Sequence, residues 1–173
     1  MSPRRVAETP VRPPVVGPSF LVSQVGGHAA LEFGACLAPL GLKPHHVGIL
    51  RIVGRNSGLS QQVLSETLGV FASRLVLLID DLEQRQLIER RERPSDRRSY
   101  GLRITARGRK TLAAIGALTV GLEDRLFAAL TQKERSLVSA LLSRVADEQG
   151  LTPGAHSSYR QLTPSTGTKR RKT

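Results

Sequence analysis

The chain has no tryptophan, one cysteine and few aromatic residues, only 3% of its 173 positions. A core with so few rings must be filled by Leu, Val, Ile and Ala, as in helical proteins. One cysteine excludes an intramolecular disulfide framework and fits a reducing cytosol, so a cytoplasmic location is expected. No apolar run approaches the roughly 18 residues of a membrane span. The basic N-terminus carries no continuous apolar stretch ahead of a cleavage site, so neither a secretory signal nor a membrane partner is expected. Acids are scarce as well. Lys and Arg number 26 against 14 Asp and Glu, a formal net charge of +12. That balance favours a polyanionic partner over a basic surface kept only for solubility. No Ser-His-Asp arrangement, metal set or phosphate-binding glycine loop is visible, so the expectation is no enzyme and no cofactor. His45 and His46 are adjacent, and neighbours on a helix diverge by about 100°, so they form no metal site without a third ligand. There is no internal repeat.

What the chain does have is concentrated between Gly58 and Gly108. A short helix is expected over about Gln61–Leu68 and a longer one over about Ala72–Gln86, with Gly69 at the bend. Ser65 is small where two helices would approach, and Leu75 and Leu78 would lock the pair, the pattern of a helix-turn-helix. An Arg-rich β-hairpin follows from near Leu87 to Ile104. It carries Arg90, Arg91, Arg93, Arg97, Arg98 and Arg103. Tyr100, Leu102 and Ile104 alternate with Gly101 and Arg103, so one face can pack while the other meets solvent or DNA. Pro94-Ser95-Asp96 supplies turn chemistry at the tip. A helix pair beside a cationic wing suits duplex DNA.

The segment resembles the MarR (multiple antibiotic resistance regulator) family of winged-helix transcription factors. The carrying motif is D-x-R-x5-(L/I)-T-x-x-G, present as Asp96, Arg98, Ile104, Thr105 and Gly108. Leu68-Gly69-Val70, Ser73 and the run from Asp81 to Arg91 also match. The likeness is close over about Leu42–Leu112. It implies a sequence-specific, dimeric DNA-binding regulator, a repressor relieved by a small aromatic anion. An architectural or nucleoid DNA-binding protein without a ligand is the alternative. The implied fold class is mainly α with a small β-wing, a winged helix-turn-helix with N- and C-terminal dimerisation helices.

Outside that segment the pattern is helical. Residues 1–18 hold five prolines and read as a disordered arm. Ser19 is an expected N-cap for a first helix, Phe20 to about Leu40, with Val22, Val25, Ala29, Phe33, Cys36 and Leu40 as its stripe. Cys36 on that stripe reads as packing. Pro44 opens a second helix to about Arg55. Thr105 caps a long helix to about Leu130, with Leu112, Ile115, Leu118 or Thr119, Leu122 and Leu126 along one side. Thr131 and Glu134 form a capping box for a last helix. Its apolar residues are Leu137, Leu141, Leu142 and Val145, and Gly150 and Pro153 end it. Residues 151–173 read as a disordered basic tail. The expected organisation is one winged-helix domain over 19–150. Its DNA-binding lobe is 42–104, and 19–41 with 105–150 are dimerisation helices whose apolar faces need a second copy.

The DNA-facing candidates are graded by position. Ser73 and Arg74 open the longer helix of the pair, where base edges are met. Arg74 suits a guanine and Ser73 a phosphate. Val76 and Leu77 stand where the resembling family usually has Ser or Thr followed by Arg, so apolar contact with thymine methyls or DNA shape must supply part of the reading. Asp81 stands where Arg is common, and Gln86 replaces a Gly often left-handed. The resemblance assigns Asp96 to bracing the tip and Arg97 or Arg98 to the minor groove. Arg90, Arg91, Arg93 and Arg103 are candidate phosphate neutralisers. For the effector, the resemblance implies a crevice between the first, second and fifth helices, with Phe33, His45, His46 and Arg51 as candidate lining.

Overall fold

The structure, a computed structural model, describes residues 16–93 and 96–153, and within the hairpin the side chains of 93 and 96–99 are not described. The tail expected over 154–173 and nearly all of the N-terminal arm lie outside the described residues. Helix α1 spans Pro18–Leu37, α2 Pro44–Arg55, α3 Gln61–Leu68 and α4 Ala72–Gln84. Strands β2 (Ile88–Arg93) and β3 (Asp96–Ile104) form the hairpin, α5 spans Ala106–Leu126 and α6 Gln132–Glu148. A two-residue strand, β1 (Leu59–Ser60), was not expected. It pairs antiparallel with β3, giving the sheet order β1-β3-β2. No single helix of the described residues is long and apolar enough to cross a membrane.

Several boundaries differ from the sequence reading for local reasons. Helix α1 starts at Pro18 with Gly17 as N-cap, not at Phe20 after Ser19. Proline at the first helical position has no amide to leave unbonded. The helix stops at Leu37, and Ala38–Leu40 tighten into a 3-10 turn ending at Gly41, φ 64°. Pro39 lacks the donor an α-helix would need there. Helix α4 stops at Gln84, because Gln86 adopts φ 60°. Helix α5 stops at Leu126 and the chain turns before Thr131.

The core lies between α2, α3, α4 and the sheet, and the start of α5 closes it. Ile49, Leu50, Val53, Leu64, Leu75, Ile79, Leu82, Ile88 and Leu102 are buried there. Helices α3 and α4 turn by 113° about Gly69, φ 61°. The Ser65 hydroxyl donates to the Val70 carbonyl, and the Val70 amide donates to the Ser65 carbonyl at 3.1 Å. The small side chain thus pins the turn it was expected only to permit.

The junction of wing and α5 is equally specified. Gly101 passes Gly58 so closely that a Cβ would stand 2.9 Å from its Cα. A Cβ on Gly108 would stand 2.1 Å from the Leu87 carbonyl oxygen. Along α5, Ile115 and Leu122 are buried, and Thr119, not Leu118, continues the stripe inward. Helix α1 packs on α5 but buries only Leu37. Cys36 is half-buried on α1, 3.8 Å from an Arg125 nitrogen. Helix α6 buries no residue at all. Its capping box is formed as expected, the Thr131 amide donating to Glu134 at 2.7 Å. Arg135 ties its first turn to Asp124 at 2.7 Å. Its apolar side, Leu137, Leu141, Leu142 and Val145, is exposed along with Phe20, Leu21, Val22 and Val25 of α1.

Candidate nucleic-acid interface

Helix α4 has two faces because its apolar residues recur at helical spacing. Leu75, Leu78, Ile79 and Leu82 are buried, which leaves Ser73, Arg74 and Leu77 exposed on the other side, with Val76 half-buried between. The helix is capped only by backbone. The Phe71 carbonyl accepts from the amides of Arg74 and Leu75, both at 3.0 Å, while its ring is exposed. Phe71 was missed by the sequence reading, since a phenylalanine beside a turn looks like core. The first turn contains Arg74 and no acid.

The second half of α4 carries Asp80, Asp81 and Glu83, an unpromising set beside a polyanion. Each is held by a cation. Arg90 of β2 meets Asp80 at 2.6 Å and also bonds Glu83. Burial disfavours the Arg90 charge, but the two carboxylates outweigh it and hold its pKa above the usual value. Arg90, a candidate phosphate neutraliser on the sequence, has two carboxylate partners here. Its guanidinium is engaged inside the fold, where it fastens the wing to α4 and masks two negative charges. Asp81 pairs with Arg85 at 2.9 Å, an i,i+4 spacing legible in the sequence.

Asp81 also lies 3.3 Å from Nε2 of His46. The other ring nitrogen, Nδ1, accepts from the Lys43 amide at 3.2 Å and so caps α2. That bond puts the proton of the neutral ring on Nε2, facing Asp81. Burial, followed by the nearby His45, lowers the His46 pKa to about 4. His46 is a buried strut between α2 and α4.

The remaining hairpin cations divide. Arg91 is exposed and pairs with Glu89 at 2.8 Å within its own strand. Arg103 is exposed, opposite Glu89 in the register. Arg93 and Asp96 are paired in the ladder. The side chains of Arg93, Asp96, Arg97 and Arg98 lie outside the described residues, as does most of the expected tip, Pro94 and Ser95.

The four candidate effector residues sit in different surroundings. Phe33 packs against the core, and His45 stands edge-to-face on His46, centroids 4.4 Å apart. Arg51 lines a cleft of about 430 Å³ between α2 and α5. Arg55 and Arg109 join it there, against Ile104, Leu112 and Ala113. No sequence periodicity flagged Arg55 or Arg109, because their convergence depends on α5 crossing α2. Among the described residues no three His, Cys, Asp or Glu side chains converge as a metal site.

Comparison with known proteins agrees with this architecture. The sequence model of the MarR family matches residues 40–99. A candidate transcriptional regulatory protein for the hcr operon of Thauera aromatica is 34% identical over 113 residues, 65% of this chain and 68% of that protein. The solved structure of the transcriptional repressor CouR bound to a 23-mer DNA duplex is 32% identical. It has a TM-score of 0.67 and covers 75% of this chain and 92% of that one. The Mycobacterium tuberculosis MarR family protein Rv2887 in complex with salicylic acid is 26% identical. Its TM-score is 0.61, covering 76% of this chain and 97% of that one.

Proposed function

The chain belongs to the MarR family, and from that premise we propose that it is a dimeric, sequence-specific DNA-binding transcriptional regulator, a repressor relieved by a small aromatic anion. The observation that carries the reading is the charge arrangement of α4. Its groove-facing start presents Ser73, Arg74 and Leu77, while every acid further along is held by Arg85, Arg90 or His46. A helix so masked can approach a phosphate backbone without repulsion. The neighbouring strands add Arg91, Arg93, Arg97, Arg98 and Arg103 for sugar, phosphate and minor-groove contacts. The DNA-bound relative supports the same use of the fold.

The lobe 42–104 is then the reading head, and 19–41 with 105–150 the dimerisation helices. The exposed apolar sides of α1 and α6 support this, since patches of that kind mark association surfaces. The effector cleft is the one at Arg51, Arg55 and Arg109, whose cations suit a carboxylate and whose apolar wall suits a ring. The salicylate-bound relative supports the ligand class.

Selection from a random DNA pool tests the core of the proposal. A palindromic consensus is expected, because a two-fold dimer reads two half-sites. Retention of DNA without any consensus would instead indicate an architectural binder. Titration of salicylate against the selected site should weaken binding, and Arg51→Ala should blunt that response.

A further inference from the structure

Two large apolar side chains stand on the face of α4 that the proposed function turns toward DNA. Leu77 is 62% exposed and Phe71 is 53% exposed. Neither position is explained by the stability of the fold. Leu77 points away from the buried side formed by Leu75, Leu78, Ile79 and Leu82. Phe71 is the N-cap of α4, where Ser, Thr, Asp or Asn would satisfy a free amide. It offers no side-chain acceptor, and the helix start rests on its carbonyl alone. Ser73 and Arg74 share this exposed surface with them, and no acid lies in the first turn. Asp80 and Asp81, three and four residues beyond Leu77, are paired with Arg90 and Arg85, so the patch is apolar, with Arg74 as its charged neighbour at the helix start and its nearest acids neutralised. That combination suits the major groove, where the one apolar base feature is the thymine 5-methyl group.

We infer that Phe71 and Leu77 form an apolar reading surface for thymine methyl groups, flanking the contact made by Arg74. The inference rests on the DNA-binding reading and deepens it. It assigns part of the sequence selectivity to apolar contact where polar side chains are missing. Val76 is half-buried against the helix pair and is not part of the surface.

Uracil substitution tests this directly. Deoxyuridine keeps every hydrogen-bonding group and every phosphate of deoxythymidine and removes only the methyl. The full chain is titrated, at one salt concentration, against its selected duplex and against copies in which thymines are replaced singly by deoxyuridine. Binding should weaken roughly fourfold for each contacted methyl, the equivalent of one buried carbon. Phe71→Ser and Leu77→Ala should each abolish the thymine–uracil difference at its own position, with the response to the other position kept. Phe71→Ser is a control for folding as well. Serine supplies the missing cap, so its thermal midpoint should hold or rise while methyl discrimination is lost. Equal binding of thymine and uracil duplexes would overturn the inference and leave the regulator reading intact. Discrimination that survives both substitutions would also overturn it, by placing methyl reading elsewhere. Failure to bind any duplex selectively would instead defeat the underlying DNA reading.

Discussion

The Thr105 hydroxyl donates to the carbonyl oxygen of Gln86 at 2.6 Å, joining the start of α5 to a residue 19 positions earlier that holds a left-handed φ of 60°. The Thr105 hydroxyl oxygen in turn accepts from the Gly108 amide at 2.9 Å. One side chain thereby caps α5 and fixes the point where the chain leaves α4 for the wing. This gives a physical meaning to the T-x-x-G end of the motif, since Gly108 has no room for a Cβ.

Thr105→Val should destabilise the fold by roughly 1 kcal/mol, chiefly from the lost cap. Gly108→Ala should do at least as much through overpacking, about 1–3 kcal/mol. Gln86→Gly should act in the opposite sense, by up to about 1 kcal/mol, by removing the left-handed strain. Urea unfolding of the three variants checks all three signs.

A second expectation concerns pH. His46 titrates near 4 in the fold against an ordinary value of 6.5. Between those values the unfolded chain binds the proton that the folded ring refuses, so stability rises with pH across that window. The contribution is full above about pH 6.5 and declines as pH falls towards 4, by roughly 2–3 kcal/mol in all. His46→Gln should flatten the dependence of the urea midpoint between pH 4.5 and 7. An unchanged slope would mean that His46 is not the group responsible.

Arg90 separates masking from phosphate contact. Arg90→Met should lower stability by about 1 kcal/mol, a modest figure because its carboxylate partners are partly exposed. It should also weaken DNA binding, by uncovering Asp80 and Glu83. Adding Asp80→Asn and Glu83→Gln should then restore affinity. If the triple variant stays weak in a filter-binding or fluorescence assay, Arg90 touches DNA itself.

Arg74 and Arg91 should differ in kind. Arg74→Ala should cost roughly 1–3 kcal/mol on the preferred site and less on a site altered at the contacted base. Arg74→Lys keeps the charge but loses the planar fork, so grip should return without selectivity. Arg91→Ala should weaken all sequences alike and flatten the salt dependence by about 0.9 in log–log slope. Equal losses on every sequence for Arg74→Ala would make it a phosphate clamp.

The apolar side of α6 should control assembly. Leu141→Arg should shift sedimentation at micromolar concentration from dimer towards monomer, with helical content retained because Leu141 contributes nothing to the core. A wild-type monomer under those conditions would remove the assembly claim.

Much of the architecture was legible because its signals are local. Ser65 and Gly69 marked the turn, Leu75 and Leu78 the buried face of α4, and Thr131 with Glu134 the start of α6. Each is a short-range pattern, within about five residues along the chain, so the sequence states it directly. Helix ends were less legible, because Pro39 or Gln86 only biases where a helix stops. Strand β1 was invisible, since two residues carry no period and its pairing depends on Gly58 meeting Gly101 across the fold.

Which charges are available was a different kind of question. The sequence determined that the chain is basic, that its arginines gather on a hairpin, and that a two-faced helix precedes them. Alternation even put Arg90 and Arg91 on opposite faces of one strand. Only the tertiary structure decided that the Arg90 face turns inward to Asp80 and Glu83 while Arg91 stays exposed, and that Arg51, Arg55 and Arg109 share a cleft. The reason is physical. A helix period or a cap is set by neighbours along the chain, whereas the engagement of a charge depends on distance in space, which packing alone sets.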